Sequence, residues 1–553
     1  MPLSSVVRMA AAGLVLAAGV TAQQLPEPSR VGVGQVQRNL TLGEAIEMAA
    51  ANNLDVEIER TNRASAYRGI QAAQGAFDPV LQFQPGILSR TSPASSMLQG
   101  PGGSVTDHSY ANRLGFRQKL PWTGTSFSVS FDTNRQSTSN PFVSLNPYVT
   151  SGLMFSFTQP LLRNSTIDRE RAELKIRRKQ ADLSVTALKL RLIDIVTRVE
   201  DAYWALVAAR QDVQVKADAM RLADEQRARS ERMIKAGVLA EVELAAAHAE
   251  LERRRDTYFA SIAALTEAEN ALKMLLAPSR TAEIWNDQLI PTQDRTTDLP
   301  SIYDLPESIA KAVAQRPELE SVDAQKEMNA VETRLNSSLT KPALDLIASY
   351  GTSGLGGTAL TTSNPFSSST ALIADRVNTL SLAAGLDPIA ISSSGGLPQF
   401  LVGGYNTSLS NLFSTRFQTL QVGISFDLNL RNRSAEAALA QSKIAGRRLN
   451  LVRDQLEQAV QVQVRNSLQS IETSRQRVRA AEASVRAAKE KLDSETRLFE
   501  NGETTNFLVL TRQNEYLDSQ LRLIVGQLDL NRAMSRYEQA VGSTLERRQI
   551  EVK

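Results

Sequence analysis

The 553-residue chain contains no cysteine. Disulfides, thiolate metal sites and thiol nucleophiles are therefore excluded. So is a lipid anchor on an N-terminal cysteine. Histidine is scarce as well: His108 and His248 stand alone, with no second His three or four residues from either. A metal site lacks its usual donors. No run of about 20 apolar residues follows residue 22, so no transmembrane helix is available, and any membrane insertion must go through β-strands. Charge of one sign is not in excess either. Lys and Arg number 62 against 59 Asp and Glu, for a net +3. No basic cluster is interleaved with aromatics, which argues against nucleic acid as a partner. Also missing are a nucleophile with a plausible base, a phosphate loop and a dinucleotide fingerprint. The chain reads as a non-enzyme without a cofactor.

What is present begins with residues 1–22, laid out as a secretory signal: Arg8, an apolar run from Met9 to Val20, and small residues at Val20-Thr21-Ala22. Residues 23–40 read as extended. Thr41 and Glu44 have capping-box spacing, which predicts a helix over 41–75. Residues 77–159 alternate with period two, as in Ser126-Phe127-Ser128-Val129-Ser130-Phe131, which predicts strands of roughly eight to ten residues. Polar linkers at 90–111 and 133–147 and a turn at Pro121–Gly124 separate them. Short turns on one side and long polar loops on the other are what a membrane barrel shows. Of the sixteen Phe, thirteen lie in 77–157 or 366–426, the strand regions.

Helical periodicity then takes over. Residues 160–277 read as a long helical hairpin turning at Gly237, with a break in its seam at Arg227. Residues 278–304 are a Pro-, Thr- and Asp-rich linker. The pattern restarts with a helix over 305–338, a strand from Pro342, a long Ser/Gly/Thr-rich loop over 352–398 and an alternating run from Phe417. A second hairpin over 433–541 turns at Asn501-Gly502, and residues 544–553 form a tail. Val464, Ile471, Val478, Val485, Leu492 and Phe499 recur every seven residues with small residues between them, a coiled-coil seam. At ~70 residues and 1.5 Å per residue such a helix is about 100 Å long.

The two halves are copies. Leu42, Ile46 and Pro79 match Leu305, Ile309 and Pro342 at an offset of 263, and Val199, Gly237 and Leu265 match Val464, Gly502 and Leu530 at 265. This is a duplicated helix–strands–hairpin unit, residues 41–277 and 305–543. A narrow seam gives helices of this length no globular core, so they must pack beside other long helices. Four to six strands cannot close a useful barrel, and open edges are forbidden in a bilayer. Several copies pooling strands and helices solve both problems. The competing readings are a soluble sandwich, a coiled-coil chaperone and a periplasmic coiled-coil scaffold that is merely anchored in the membrane.

With Leu42–Ile46, Phe155–Leu162, Val422–Phe426 and the glycines at the two tips, the chain resembles the outer membrane efflux proteins, the TolC family, over roughly residues 40–543. The resemblance implies an α+β membrane protein. Three copies would share a transmembrane β-barrel, four strands from each making twelve, and a long periplasmic α-helical barrel. It implies an outer-membrane channel conducting substrates passively in efflux or type I secretion. Its partners would be a periplasmic adaptor and an inner-membrane transporter. The hairpin tips would meet the adaptor, here Gly237 and Val238 and Asn501, Gly502, Glu503, Thr504 and Thr505. Leu508 and Thr511 stand where the TolC entrance has aspartates, which suggests an apolar gate. Glu241 and Glu243 are the alternative source of charge, or simply solvated glutamates favoured at a helix start. Leu114–Phe131 departs from the family as an extra hairpin, inside the barrel or outside it.

Overall fold

A computed structural model describes residues 30–34, 36–94, 102–237, 240–293, 304–360, 365–389 and 397–551. The expected signal at 1–22 and the tip residue Val238 lie outside these. In chain order the elements are β1 (Gln37–Leu40), α1 (Leu42–Asn52), α2 (Leu54–Gln74), β2 (Val80–Pro93), β3 (Ser104–Lys119), β4 (Ser126–Thr138), β5 (Leu145–Pro160), α3 (Arg169–Lys235), α4 (Glu241–Leu276), β6 (Gln288–Pro291), α5 (Leu305–Gln315), α6 (Pro317–Leu339), β7 (Ala343–Ala359), α7 (Pro365–Ala383), α8 (Tyr405–Phe413), β8 (Phe417–Asp427), α9 (Arg433–Glu500), α10 (Asn506–Val541) and α11 (Thr544–Arg547).

The duplication is visible in these lengths. α1 and α5 both have 11 residues, α3 and α9 have 67 and 68, and α4 and α10 both have 36. The Thr41 capping box forms as spaced. The Glu44 carboxylate accepts from the Thr41 amide at 2.9 Å, and the Thr41 hydroxyl accepts from the Glu44 amide at 3.2 Å. The single helices expected over 41–75 and 305–338 are each two. Asn53 caps α2 by accepting from the Asp55 amide, and Arg316 is held extended by Pro317, which disfavours helix in the residue before it. Arg227 does not interrupt α3. It lies along the helix and pairs with Asp224 and Glu231.

The strands β2 to β5, β7 and β8 are 11 to 17 residues long, longer than expected, and take up much of the predicted linkers. β2, β3, β4, β5, β7 and β8 form one antiparallel sheet in that order. The sheet is open, with β2 and β8 at its edges. The resemblance implied four strands per chain; this sheet has six, because the Leu114–Phe131 hairpin lies within it as β3 and β4. The expected loop at 352–398 is partly strand and partly helix α7. Within the linker at 278–304, β6 pairs in parallel with β1.

Two compact units emerge from the contacts. One comprises residues 50–197, 299–473 and 533 onward, and the other residues up to 49, 198–298 and 474–532. The first holds the sheet and a small core of Ala312, Val460, Val464, Ala540 and Val541, bordered by Leu305, Ile309, Leu468 and Tyr537. The Tyr537 phenol meets the Ser308 hydroxyl at 2.8 Å, so its polar end is satisfied where its ring is packed. The second unit holds both hairpin turns and the β1–β6 pair. There the Tyr203 phenol donates to the Leu40 carbonyl and accepts from the Gln293 amide. In the same unit Glu269 and Lys273 are fully buried, 3.0 Å apart, and Arg30 reaches Glu269 at 2.6 Å. Glu269 also accepts from the Leu289 amide, and Lys273 donates to the Trp285 carbonyl, so the buried charges are paired and hydrogen-bonded.

Candidate functional site

Strand register sorts the sheet residues into two faces, because side chains alternate along each strand and directly paired residues share a side. One face carries Leu81, Phe83 and Ile87 of β2, then Phe116, Leu114 and Tyr110 of β3. It continues through Phe127, Val129 and Phe131 of β4, Phe157, Phe155 and Leu153 of β5, and Leu346, Ala348 and Tyr350 of β7. It ends with Phe426, Ile424, Val422 and Leu420 of β8. The apolar band crosses all six strands without a gap. On β8 its six residue steps span about 20 Å at 3.4 Å per residue. Val422 is 66% exposed and Leu81 70%, far beyond what a soluble surface carries as a continuous patch.

The opposite face is mostly polar: Gln82 and Gln84, Arg113 and Arg117, Ser128, Ser130, Asp132, Asn134 and Gln136, Thr150 and Ser156, Ser349, Gln421 and Ser425, with Val80, Leu88, Met154 and Ile347 as exposed apolar exceptions. Arg113 and Asp132 pair directly across β3 and β4. Beyond the band, at the loop end of β5 and β7, α8 lies on the sheet. Here the residues are small because the helix backbone touches the strand. A side chain on Gly354 would meet the Ser408 carbonyl at 2.0 Å. The Ser151 hydroxyl reaches the Ser408 hydroxyl at 2.8 Å.

At the other end of the sheet, the turn joining β3 to β4 is tied to the start of α3. The Arg171 guanidinium donates to the carbonyls of Trp122, Asn164 and Ser165 and to the Asp168 carboxylate. Lys119 meets Asp168 at 3.2 Å and Glu170 at 2.7 Å. Burial pushes the Asp168 carboxyl up, but the Arg171 amide and the two cations outweigh it and hold it below the usual range. Gly124, at φ +72°, lies where a side chain would strike Arg171 and Asp168.

The hairpin turns were the other place the sequence singled out. Both turn glycines are left-handed, Gly237 at φ +73° and Gly502 at +77°. At the second turn the Gly502 amide donates to the Phe499 carbonyl and the Glu503 amide to the Leu498 carbonyl, the paired bonds that end a helix on glycine. Asn501 completes the turn, Thr504 donates to the Glu495 carboxylate at 2.5 Å, and the Thr505 carbonyl starts α10. Of the gate candidates, Glu243 is brought to the second hairpin, its carboxylate 3.5 Å from the Asn506 amide group. Glu241 is exposed in the first turn of α4. Leu508 is 38% exposed, and the Thr511 hydroxyl bonds back to the Phe507 carbonyl of its own helix.

Sequence reasoning missed Asn506, which is buried and accepts from Gln226 at 2.6 Å, and Phe507, which is 73% exposed beside it. It also missed Arg254. Arg254 is buried, pairs with Glu250 at 2.7 Å and donates to Asn514 of α10. Burial raises the Glu250 carboxyl, but hydrogen bonds from Arg253 and Arg254 prevail and hold it low. The spacing of these arginines from Glu250, three and four residues, is ordinary for a helix surface, so nothing local flagged the contact. No group of three or more His, Asp or Glu among the described residues is placed to hold a metal ion.

The comparisons with known proteins agree with this architecture. Residues 122–277 match the outer membrane efflux protein family. In fold the chain is similar to CusC, described with its transmembrane channel formation, at TM-score 0.61 and 14% identity over 91% of this chain and 92% of that one. It is similar to the Campylobacter jejuni CmeC outer membrane channel at TM-score 0.59 and 13% identity, covering 91% and 86%. The outer membrane protein VceC of Vibrio cholerae gives 0.58 and 13%, covering 91% and 96%. Residues 122–277 thus resemble the outer membrane efflux proteins in sequence, and the chain resembles these channels in fold. No curated protein sequence matches the chain. The efflux-family match begins at Trp122, in the turn before β4, and runs through the first helical hairpin. It thus covers the end of the sheet that Arg171 ties down and the first of the two tips.

Proposed function

We propose that three copies of the chain form the outer-membrane channel of a tripartite efflux or secretion assembly. The channel conducts substrates passively from a periplasmic adaptor and an inner-membrane transporter to the exterior. The observation that carries this is the two-faced sheet. An unbroken apolar band across six strands suits lipid, and the polar face behind it suits a water-filled lumen. None of the described helices is long and apolar enough to cross a membrane, so the sheet is the element left to do so. The open edges β2 and β8 call for other copies to close the wall.

In this reading the long hairpins lie in the periplasm and their tips meet the adaptor through Gly237, Val238, Asn501, Gly502, Glu503, Thr504 and Thr505. The entrance is set by Leu508 and Thr511, with Glu241 and Glu243 on the facing hairpin. Because Glu243 reaches Asn506, which Gln226 also holds, the two tips of one chain are latched by polar contacts. Opening would have to break these. Deleting the gene should raise intracellular accumulation of a fluorescent efflux substrate. Restoring the chain should reverse this, and Gly502→Trp should fail to reverse it while still giving a trimer in the outer membrane. Full restoration by Gly502→Trp would remove the tips from the docking role. A chain whose loss changes no export, yet which inserts normally, would be the scaffold instead.

A further inference from the structure

We infer that the β3–β4 hairpin is a built part of the membrane wall, so that three copies close an eighteen-stranded barrel and the pore takes bulky polar cargo. The inference rests on the channel reading and departs from the twelve strands that the resemblance implied. Four observations carry it. β3 and β4 pair over their length with each other and with β2 and β5, in the middle of the sheet rather than at its margin. Their apolar residues, Tyr110, Leu114, Phe116, Phe127, Val129 and Phe131, continue the band at the height of Phe83 and Phe155. Phe116 and Phe127 contact each other on that face, ring centres 5.8 Å apart. The hairpin's turn is held by the buried Arg171 and by Lys119, a fixture with no purpose for a loose insertion.

Closure follows from direction. Six strands alternate, so β8 runs opposite to β2, and the β2 edge of one copy meets the β8 edge of a second copy of this chain as another antiparallel pair. Both edges carry their apolar residues on the same face, so the band continues across the contact. Barrel diameter grows roughly linearly with strand number, so eighteen strands give a barrel about half as wide again as twelve, in the range that leaves an aqueous channel. On the lumen side the hairpin adds hydroxyls, amides and the Arg113–Asp132 pair. Arg117 and Asp107 add one charge of each sign. The wall it contributes selects by size more than by charge.

The absence of cysteine makes the test clean. In intact cells, Ser130→Cys should react with a membrane-impermeant maleimide added outside, and Phe131→Cys, its neighbour on the lipid face, should not. Equal labelling of the two would put the hairpin outside the wall and overturn the inference. A second arm uses Ser156→Cys in the full chain and in a variant lacking residues 104–144. By register, that deletion brings Leu81 beside Phe155 with faces matched. Polyethylene-glycol maleimides of graded size should reach the introduced thiol in the full chain at sizes that the shortened chain excludes; identical cut-offs would contradict the wider bore. If the shortened chain does not insert, cryo-EM of the full chain in nanodiscs decides. Three copies and eighteen strands are expected. A conducting ring of twelve strands, whether from two copies or three, overturns this inference alone, and the absence of any transmembrane ring overturns the channel reading with it.

Discussion

Val422 and Gln421 are neighbours on β8, both exposed in the single chain and on opposite faces of the sheet. Val422 sits within the band between Leu420 and Ile424, and Gln421 faces the polar side beside Ser349. Val422→Lys therefore puts an ammonium near the middle of the lipid layer, and Gln421→Lys puts the same ammonium in water. The cost of a Lys on the lipid face of a barrel at the bilayer midplane is about 2–4 kcal/mol, and substitutions in the lumen cost little. At ~1.4 kcal/mol per factor of ten, Val422→Lys should lower the folded-to-unfolded ratio by roughly 30- to 700-fold per chain, and Gln421→Lys should leave it within about threefold. Denaturant unfolding of protein reconstituted in phospholipid vesicles, followed by tryptophan fluorescence or the heat-modifiable gel shift, reads this difference. If both positions lay in solvent, each change would fall within about 0.5 kcal/mol, as for ordinary surface sites. Equal effects of the two substitutions would refute the face assignment.

Three further outcomes are expected. Glu269→Leu strands the buried Lys273 and Arg30 and should destabilise the chain by about 3–5 kcal/mol, while adding Lys273→Met should recover part of the loss; thermal unfolding of both variants checks this. Glu250 has a folded pKa below its usual 4.5, so its contribution to stability is present above pH 4.5 and is lost as pH falls through the lowered folded value. Denaturant titrations from pH 6 to pH 3 should show a shallower acid loss in Glu250→Gln than in the unaltered chain, and parallel curves would contradict it. Gly502→Ala places a side chain at φ +77°, a local cost of about 1–2 kcal/mol confined to the turn. Hydrogen exchange should speed at the ends of α9 and α10 and stay unchanged in the sheet.

Much of this was legible in the chain because the signals are periodic and repeated. The seven-residue seam ending at Phe499, the glycine after it and the echo 265 residues earlier pointed to both turns and to the 433–541 hairpin, while α3 starts nine residues later than read, at Arg169. The Thr41 box has its chemistry inside four residues, so it could be read directly. What escaped depends on contacts distant in sequence. β6 is four residues in a Pro-rich linker and becomes a strand only by pairing with β1, some 250 residues away. Arg254 reads as one of three surface arginines until Asn514 of α10 is beside it. The Ser/Gly composition of 352–398 suggested loop, yet Gly354 is small because α8 lies against it. The break at Arg316 was readable, since Pro317 follows it. The hairpin at 114–131 was visible as alternation, but its place in the sheet is a matter of register, which alternation alone does not fix.

The two-faced sheet is proposed to line a conducting pore. The decisive measurement is single-channel current from the purified chain in a planar lipid bilayer. It is made with the unaltered protein and with Asn506→Ala, which removes the contact between Gln226, Asn506 and Glu243 at the tips. Discrete, stable current steps from a trimer are predicted, larger in Asn506→Ala than in the unaltered chain. A monomer that stays in solution and leaves the bilayer silent in both forms would contradict it.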